Sequence, residues 1–386
     1  MTTPDVIVIG GGLHGCSAAL HLARRGARVT VIEKDHVGRH ASGVNAGGVR
    51  RLGRHLAEVP LAVAAMELWH RIGDLVDDDC GFDSHGQVKV AENDAELAAL
   101  RARVDALTRL GFTHEELIDR RELNVLVPAI AEHCVGAIVC RRDGAANPYH
   151  TTFAFKRKAE SLGVRFIEHT AVTGLARNGA AWRVDTDAGP HQASVVVNCA
   201  GAWADRIAAA LDEPVPLEPI APMLMITAPL PPFLEPVIGA AGRPLSFKQF
   251  RNGTVLIGGG HRGTLDRDTN RTDLDFAGLA LSARTVWDLF PVMRGAQIVR
   301  CWAGIEARMP DDIPVIGPSA TSAGVFHAFG FSAHGFALGP IVGAILAELI
   351  TGGKTNLPIA PFRIDRFARS GRPSPPARRD LSAARS

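Results

Sequence analysis

Short apolar runs and one amphipathic segment alternate through the first part of the chain. Val6–Ile9 is a continuous apolar run, which is typical of a parallel strand buried on both faces. A helical pattern follows it and ends at Gly26, and Val29–Ile32 is a second apolar run of the same kind. The order of strand, helix and strand predicts the beginning of a parallel sheet in an α/β protein.

Hydrophobic periodicity predicts further elements along most of the chain. Helices are expected over 61–76, 94–110, 148–162 and 275–290, with a buried helix within 336–350. The clearest strands are expected over 87–91, 136–140, 193–202, 223–227, 296–303 and 325–328. The Asn252-Gly253 pair between two apolar runs predicts a β-hairpin.

Glycines separate the first strand from the first helix. Gly10, Gly12 and Gly15 form a G-x-G-x-x-G motif, with Leu13 and His14 between the last two. The glycines allow a tight turn and a close approach of backbone to a pyrophosphate, which the helix N-terminus also favours. Glu33 closes the second strand, where an acid binds ribose hydroxyls, so FAD or NAD is favoured over NADP.

Two other stretches are candidates for lining the same site. The segment after Glu33 is rich in glycine and carries Arg50, Arg51 and Arg54; a solvated loop is the alternative interpretation. The strand at 193–202 ends in Ala200 and Gly201, whose small size would let backbone pass close to a cofactor.

Composition narrows the class of protein. The 386 residues are 46% hydrophobic with a net charge of +2, which fits two globular domains and argues against a nucleic-acid partner. Glycine, proline and glutamate interrupt the apolar stretch at 336–350, so we expect no integral membrane span. The six cysteines form no C-x-x-C pair or zinc-type cluster, and no leader-like segment precedes the first strand, so we expect no metal site and a cytoplasmic location.

The distribution of motifs predicts a discontinuous architecture. Nucleotide-type segments stand at both ends of the chain, and proline-rich and hairpin-rich segments lie between them. We therefore expect a cofactor domain over 1–75, 141–213 and 302–363, and a substrate domain over 76–140 and 214–301. The arginine-, proline- and serine-rich residues 364–386 are expected to be a disordered tail.

Motifs spread over most of the chain resemble those of the D-amino acid oxidase (DAO) superfamily of FAD-dependent oxidoreductases, in its glycine oxidase and sarcosine oxidase β-subunit branch. The resemblance is carried by GGGLHG with Glu33, VPLA and ELW within 59–69, NPYH at 147–150, VVNCAGAW at 196–203, WAG and PDDIPVIGP within 302–318, and GFSAHGF at 330–336. The late motifs are most similar to β subunits of D-hydroxyproline dehydrogenase, opine oxidase and hydrogen cyanide synthase.

The resemblance implies a fold and a set of cofactor-binding residues. The fold would be α/β (α+β), a Rossmann-like FAD-binding domain of the glutathione-reductase type with an inserted substrate domain on a mostly antiparallel sheet. FAD would be bound without a covalent link. The candidate FAD-binding residues are Gly10, Gly12, Leu13, His14, Gly15, Glu33, Lys34, Ser42, Val172, Ala200, Gly201, Gly330, Phe331, Ser332, His334 and Gly335. Backbone N–H groups of Gly330, Phe331, His334 and Gly335 would lie near the flavin N1–O2 edge.

The reaction implied is oxidation of the C–N bond of a small amine or amino acid, of the sarcosine, glycine, D-amino acid, D-hydroxyproline or opine type. A hydride would pass to flavin N5, and the imine would hydrolyse. Catalytic candidates are Arg50, Arg51, Lys248 and His334, with Arg308 as an outside candidate for binding a substrate carboxylate. Two departures matter: Ala337 replaces a lysine that grips the carboxylate in sarcosine oxidases, and Cys301 does not have the spacing of a flavin-linking cysteine.

Several alternatives stay open at this point. The chain would be a nicotinamide-dependent dehydrogenase if the first motif held NAD. It would be a flavin-carrying β subunit, inactive alone, if it required the companion iron–sulfur and nucleotide-binding subunits of the family members that it resembles. The sequence does not name the amine, or decide between oxygen, a quinone and a partner subunit as the electron acceptor.

Overall fold

The computed structural model describes residues 4–367. The α-helices within this range are α1 Leu13–Arg24, α2 Ala41–Val44, α3 Val59–Trp69, α4 Ile72–Val76, α5 Asp94–Arg109, α6 Arg120–Leu126, α7 Pro148–Ser161, α8 Ala204–Ala209, α9 Phe276–Leu289 and α10 Gly339–Gly352. The helix predicted over 61–76 is therefore two helices, because the chain leaves helical geometry at Arg71 (φ −126°, ψ 30°).

The first twelve strands are β1 Val6–Ile9, β2 Val29–Ile32, β3 Gly48–Val49, β4 Gln87–Ala91, β5 Glu116–Asp119, β6 Gly136–Cys140, β7 Gly144–Ala145, β8 Arg165–Ile167, β9 Val172–Asn178, β10 Ala181–Thr186, β11 Gly189–Ala193 and β12 Val195–Asn198. The remaining strands are β13 Glu218–Ile220, β14 Met223–Thr227, β15 Val237–Ala240, β16 Ser246–Gln249, β17 Val255–Gly258, β18 Thr264–Asp266, β19 Arg271–Asp273, β20 Ile298–Ala303, β21 Glu306–Arg308, β22 Val315–Pro318 and β23 Val325–Phe329.

A six-stranded sheet in the order β22-β23-β12-β1-β2-β8 organises one half of the structure. Its strands are parallel except for the edge strand β22. Along β1 the side chains alternate between two layers. Val6 and Val8 face a core with α1, α7 and α10, whereas Ile7 and Ile9 pack against the three-stranded sheet β9–β11. Burial on both faces explains why β1 is apolar at every position.

An eight-stranded sheet in the order β20-β14-β17-β16-β15-β4-β6-β5 forms the other half. All its neighbouring strands are antiparallel except β15 and β4, and α9 packs against it. The Asn252-Gly253 hairpin joins β16 and β17, as predicted. Together the two sheets confirm the predicted fold class. No helix within 4–367 combines the length and apolar character needed to cross a membrane.

The first residues of the segment expected to be a disordered tail, 364–367, are folded. Ile364 is buried with Ala204, Ala208 and Met309, and the Arg366 guanidinium pairs with Asp311 at 2.8 Å. Residues 364–367 are therefore folded, because one apolar anchor and one ion pair interrupt the polar composition. The rest of the expected tail, 368–386, lies outside the described residues.

Close contact between α1 and α10 depends on Gly343. A Cβ at this position would lie 2.2 Å from Ser17 Oγ and 2.5 Å from the Ser17 carbonyl carbon. We expect Gly343→Ala to force the helices apart and to lower the free energy of unfolding by about 1–3 kcal/mol. Thermal unfolding measures the effect. Gly352→Ala is the control, because a Cβ there meets no atom within 4 Å; equal stability of the two variants would contradict the packing argument.

Candidate functional site

A cavity of about 1110 Å³ lies between the carboxyl end of the parallel sheet and one face of the eight-stranded sheet. Ile9, Ile32 and Phe329 are the last residues of their strands, and all three line it. The opposite wall includes Lys89 on β4. A crevice at the carboxyl ends of parallel strands is the general position of ligand sites in such sheets.

The first glycine motif forms one end of this cavity. Gly10 has φ +104°, and a Cβ there would lie 2.4 Å from the Cys199 carbonyl oxygen. A Cβ on Gly15 would lie 2.0 Å from the Gly10 carbonyl oxygen, so only glycine allows α1 to begin this close to β1. Ser42 Oγ accepts from the Leu13 amide at 2.9 Å, which ties the loop after Glu33 to the start of α1. This backbone cradle fits a pyrophosphate.

Glu33 lies at the end of β2 and lines the cavity. Its carboxylate accepts from the Gly11 amide at 2.6 Å and from the Asp35 amide at 2.9 Å. Burial raises its pKa, and the two amides and Lys34 oppose that shift. Glu33 therefore holds the glycine loop in shape and still faces the cavity, where ribose hydroxyls of a dinucleotide would lie.

The remaining candidates at this end also line the cavity, namely Lys34, Ser42, Val172, Ala200 and Gly201. The Lys34 ammonium is already engaged, since it lies 2.7 Å from Asp35, donates to Asn270 Oδ1 at 2.6 Å and stacks on the Trp203 ring. Asn270 lies in the turn between β18 and β19, and its position at this end of the cavity was not predicted from the sequence.

The GFSAHGF turn, residues 330–336, also lines the cavity. His14 stacks on the Phe331 ring at 3.7 Å, which joins the first motif to the last. Gly330, Ser332 and Ala333 all have positive φ, a conformation that non-glycine residues rarely adopt. Glu306 stabilises it by accepting from the Ala333 amide at 2.9 Å. Burial raises the pKa of Glu306 to about 7.

The His334 amide donates to the Phe331 carbonyl at 3.1 Å, which is a hydrogen bond inside the turn. The expected position of the turn's amides near a flavin edge stays a prediction. The Ser332 amide likewise donates to the Ala307 carbonyl. The turn closes on itself because its positive-φ residues fold the backbone back. His334 still lines the cavity through its other atoms, with Phe331, Gly330 and Gly335.

The arginine loop is shaped by two buried acids. Asp143 Oδ2 accepts from the Arg51 and Leu52 amides at 2.7 and 2.8 Å, and Asp143 Oδ1 accepts from Arg51 Nε at 3.0 Å. Glu115 accepts from the Gly53 amide at 2.8 Å and from Arg103, which in turn donates to the Arg54 carbonyl. These contacts fix the loop backbone to Asp143, which follows β6, and to Glu115, which precedes β5.

The preference for Arg51 as a substrate-binding residue is therefore corrected. Arg51 pairs with Asp143 and does not line the cavity, whereas Arg50 and Arg54 do. Arg54 is 2% exposed; its Nη1 donates to the His334 carbonyl at 2.6 Å, and its Nη2 has no hydrogen-bond partner among residues 4–367. Burial, and then repulsion from Arg50, lowers the pKa of Arg54 to about 9.

Lys89 is a third cation that lines the cavity, with Arg50 and Arg54, and it was not predicted from the sequence. It lines the cavity from β4, and burial followed by repulsion from Arg50 and Arg103 lowers its pKa. A signal was present, because polar Gln87 and charged Lys89 alternate with Val88 and Val90 in QVKVA. In an alternating strand such a side chain points away from the apolar core.

Other candidates lie outside the main cavity. Lys248 is buried behind Gly47, and its Nζ is 3.2 Å from where a Cβ on Gly47 would stand. Arg308 pairs with Asp312 and Glu218. Ala337 packs in the apolar core of the parallel sheet. Cys301 sits within β20 opposite Met225, so non-covalent FAD stays the prediction.

Comparisons with known proteins agree with this geometry. Residues 5–349 match the DAO family model, described as FAD dependent oxidoreductase. Glycine oxidase of Geobacillus kaustophilus is 26% identical over 94% of this chain and 97% of its own. Hydrogen cyanide synthase subunit HcnC of Pseudomonas aeruginosa is 27% identical over 95% of this chain and 96% of its own. The solved structure of L-proline dehydrogenase from P. horikoshii aligns with a TM-score of 0.88 at 29% identity, covering 95% of this chain and 98% of that chain.

Glu33 gives a direct test of the cofactor end. Glu33→Ala removes a carboxylate that both holds the Gly11 amide and faces the ribose position. We expect a loss of about 1.5–3 kcal/mol of FAD affinity, the scale of a charged hydrogen bond. Titration of the apoprotein with FAD, followed by flavin fluorescence, measures it. Glu168→Ala is the control, because Glu168 binds the Val37 amide of the same loop but does not line the cavity; equal losses in both variants would remove Glu33 from the cofactor site.

Proposed function

The chain belongs to the DAO family of FAD-dependent oxidoreductases, and we propose that it oxidises a small amino acid whose carboxylate is bound by Arg50, Arg54 and Lys89. FAD is the cofactor, and it supplies the acceptor for hydride from the carbon next to the amine. Oxidation of the C–N bond of a small amine or amino acid is the activity of this chain. The proposal concerns how the substrate is held.

The proposal rests on an imbalance of buried charge. Arg50, Arg54 and Lys89 line one end of the cavity, and within residues 4–367 none of them forms an ion pair. Arg51 and Arg103 of the same region are paired with Asp143 and Glu115. Cations removed from water are costly unless an anion compensates them. A substrate carboxylate would supply that anion, and a guanidinium can bind it in a bidentate manner.

The same cations would favour the reactive form of the substrate. A neutral amine can release hydride from the adjacent carbon, whereas an ammonium group cannot. Like charges at close range disfavour the protonated form. Arg50 and Arg54 would therefore both orient the substrate and lower the pKa of its amine.

Lys89 would take the place of the missing lysine grip. Ala337 stands where sarcosine oxidases have a lysine, and the β4 wall supplies a lysine from another element. For this reason we also propose that 76–140 and 214–301, which include β4, act as the substrate domain.

Lys248 would assist transfer of electrons to oxygen. It is 5% exposed, and burial lowers its pKa to about 8. A buried ammonium close to the cavity would stabilise the negative charge that develops as oxygen is reduced. His334, the remaining catalytic candidate, would position Arg54 through its carbonyl.

Companion subunits are part of the proposal as well. The relative HcnC is named as a subunit, and we propose that this chain also works with partner subunits, iron–sulfur and nucleotide-binding proteins among them. Activity of the isolated chain with an artificial acceptor would show that catalysis itself does not require them.

Arg54 tests the carboxylate site. Benzoate is a suitable probe, since it has a carboxylate and no amine. We expect Arg54→Met to weaken benzoate binding by about 1.5–3 kcal/mol, because a charged hydrogen-bond donor is lost. Perturbation of the flavin absorbance measures binding and FAD content together.

Arg39→Met is the matched control, because Arg39 is an exposed cation that lines the same cavity. It should bind benzoate as the unmodified protein does. Unchanged benzoate affinity in Arg54→Met, Arg50→Met and Lys89→Met, with normal FAD content, would contradict the proposed carboxylate site.

Lys248 tests the route to oxygen. We expect Lys248→Met to reduce oxygen-dependent turnover at least several-fold and to keep turnover with an artificial acceptor, because only the first needs the buried charge. Oxygen uptake and dye reduction measure the two activities. Arg251→Met, an exposed neighbour on the same hairpin, should change neither. Equal losses with both acceptors in Lys248→Met would assign Lys248 a structural role.

A further inference from the structure

A second cavity of about 420 Å³ adjoins the first. Arg50, Arg54 and His334 line both cavities and so form part of the wall between them. Glu58 lines the second cavity but not the first. Its side chain is fully buried, and neither carboxylate oxygen has a hydrogen-bond partner among residues 4–367. Burying a carboxyl group without hydrogen-bond partners costs free energy, so a structural role does not explain why Glu58 stands here.

The hydrogen bonds of His334 fix which of its nitrogens carries a proton. His334 Nε2 lies 2.9 Å from the Asp312 carbonyl oxygen, and a carbonyl can only accept, so Nε2 carries the hydrogen. In the neutral ring Nδ1 is then an acceptor. Nδ1 lies 3.4 Å from Glu58 Oε1. Two acceptor atoms therefore lie close together, and neither has a hydrogen-bond partner among residues 4–367.

Of this pair, Glu58 is the group that can take up a proton. Burial raises the pKa of Glu58 to about 7. Arg54, Arg50 and the His55 backbone oppose this rise, and Asp312 adds to it. Burial lowers the pKa of His334 well below its usual value, and the charges of Arg54, Arg50 and His55 lower it further. The hydrogen bond to the Asp312 carbonyl opposes this shift. The two arginines thus favour the ionised form of Glu58 while no anion is bound to them.

We propose that Glu58 accepts a proton when a carboxylate ligand binds Arg50 and Arg54, and that with an amino acid substrate this is the proton lost by the ammonium group. The inference rests on the carboxylate site proposed above. A bound carboxylate cancels the positive field that holds Glu58 ionised, so the binding event itself makes Glu58 a stronger base. The substrate amine is then neutral when its carbon is in place to release hydride.

The proton transfer balances without any change of oxidation state. An N–H bond of the ammonium breaks, an O–H bond forms on Glu58, and the protonated carboxyl can donate to His334 Nδ1. Water in the second cavity can carry the proton along the shared wall, because 420 Å³ exceeds the roughly 30 Å³ that one water occupies in the liquid. The same cavity gives the proton a path away from the site.

Proton uptake on benzoate binding tests the inference without catalysis. The holoenzyme is titrated with benzoate near pH 7.5 in two buffers of different ionisation enthalpy, and calorimetry gives the protons taken up per benzoate bound. Benzoate is fully ionised at this pH, so any proton taken up goes to the protein. We expect a clear fractional uptake in the unmodified protein and nearly none in Glu58→Gln.

Glu306→Gln is the matched control, because Glu306 is another buried carboxyl with a raised pKa in the main cavity; it should keep the uptake. If Glu58→Gln does not retain FAD, Glu58→Met serves instead, since an apolar side chain of similar length avoids a buried unpaired amide. Full uptake in the Glu58 variants, or its loss only in Glu306→Gln, would overturn the inference. Benzoate binding that does not depend on Arg54 would instead overturn the proposed function itself.

Discussion

The buried carboxylate of Asp143 is the contact on which the geometry of the substrate end depends. It accepts two consecutive amides of the arginine loop and the side chain of Arg51, all within 3.0 Å. Glu115 holds the next residue of the loop in the same manner. Since the loop backbone is fixed at Arg51, Leu52 and Gly53, the side chains on either side of it, Arg50 and Arg54, are directed into the cavity. Removal of one partner of such a buried set is far more damaging than loss of a surface pair.

The two ends of the cavity use charge in opposite ways. At the cofactor end the charged groups are satisfied within the protein, as with Glu33 on two amides and Lys34 on Asp35 and Asn270. At the other end, among the described residues, Arg50, Arg54 and Lys89 form no ion pair, although Glu58, Asp143 and Glu115 lie near them. A site with an excess of buried positive charge favours a ligand that brings a carboxylate and disfavours an ammonium group. Both preferences suit the proposed substrate, an amino acid that is oxidised as the neutral amine.

The parallel sheet and the glycine motif could be predicted from the sequence because both depend on local pattern. A fully apolar β1, glycines at fixed spacing and an acid after β2 each have a local physical cause. The choice among Arg50, Arg51 and Arg54 depends on Asp143, which lies between the strand expected over 136–140 and the helix expected over 148–162. Glu58 and His334 are far apart in the sequence, so no motif spacing predicts that they lie close together. Lys89 was visible as a charge in an apolar strand, but its direction required the position of β4 in the sheet. The roles assigned to these side chains stay predictions until they are tested.

Anaerobic bleaching of the flavin by matched pairs of compounds tests the central claim most directly. Each pair consists of an amino acid and the corresponding amine without its carboxylate, and D-amino acids and N-methylated amino acids are included. The account predicts that at least one amino acid bleaches the flavin rapidly, and that its decarboxylated partner does so far more slowly at equal concentration. Equal bleaching by both members of every active pair would contradict the assignment of Arg50, Arg54 and Lys89 to a substrate carboxylate.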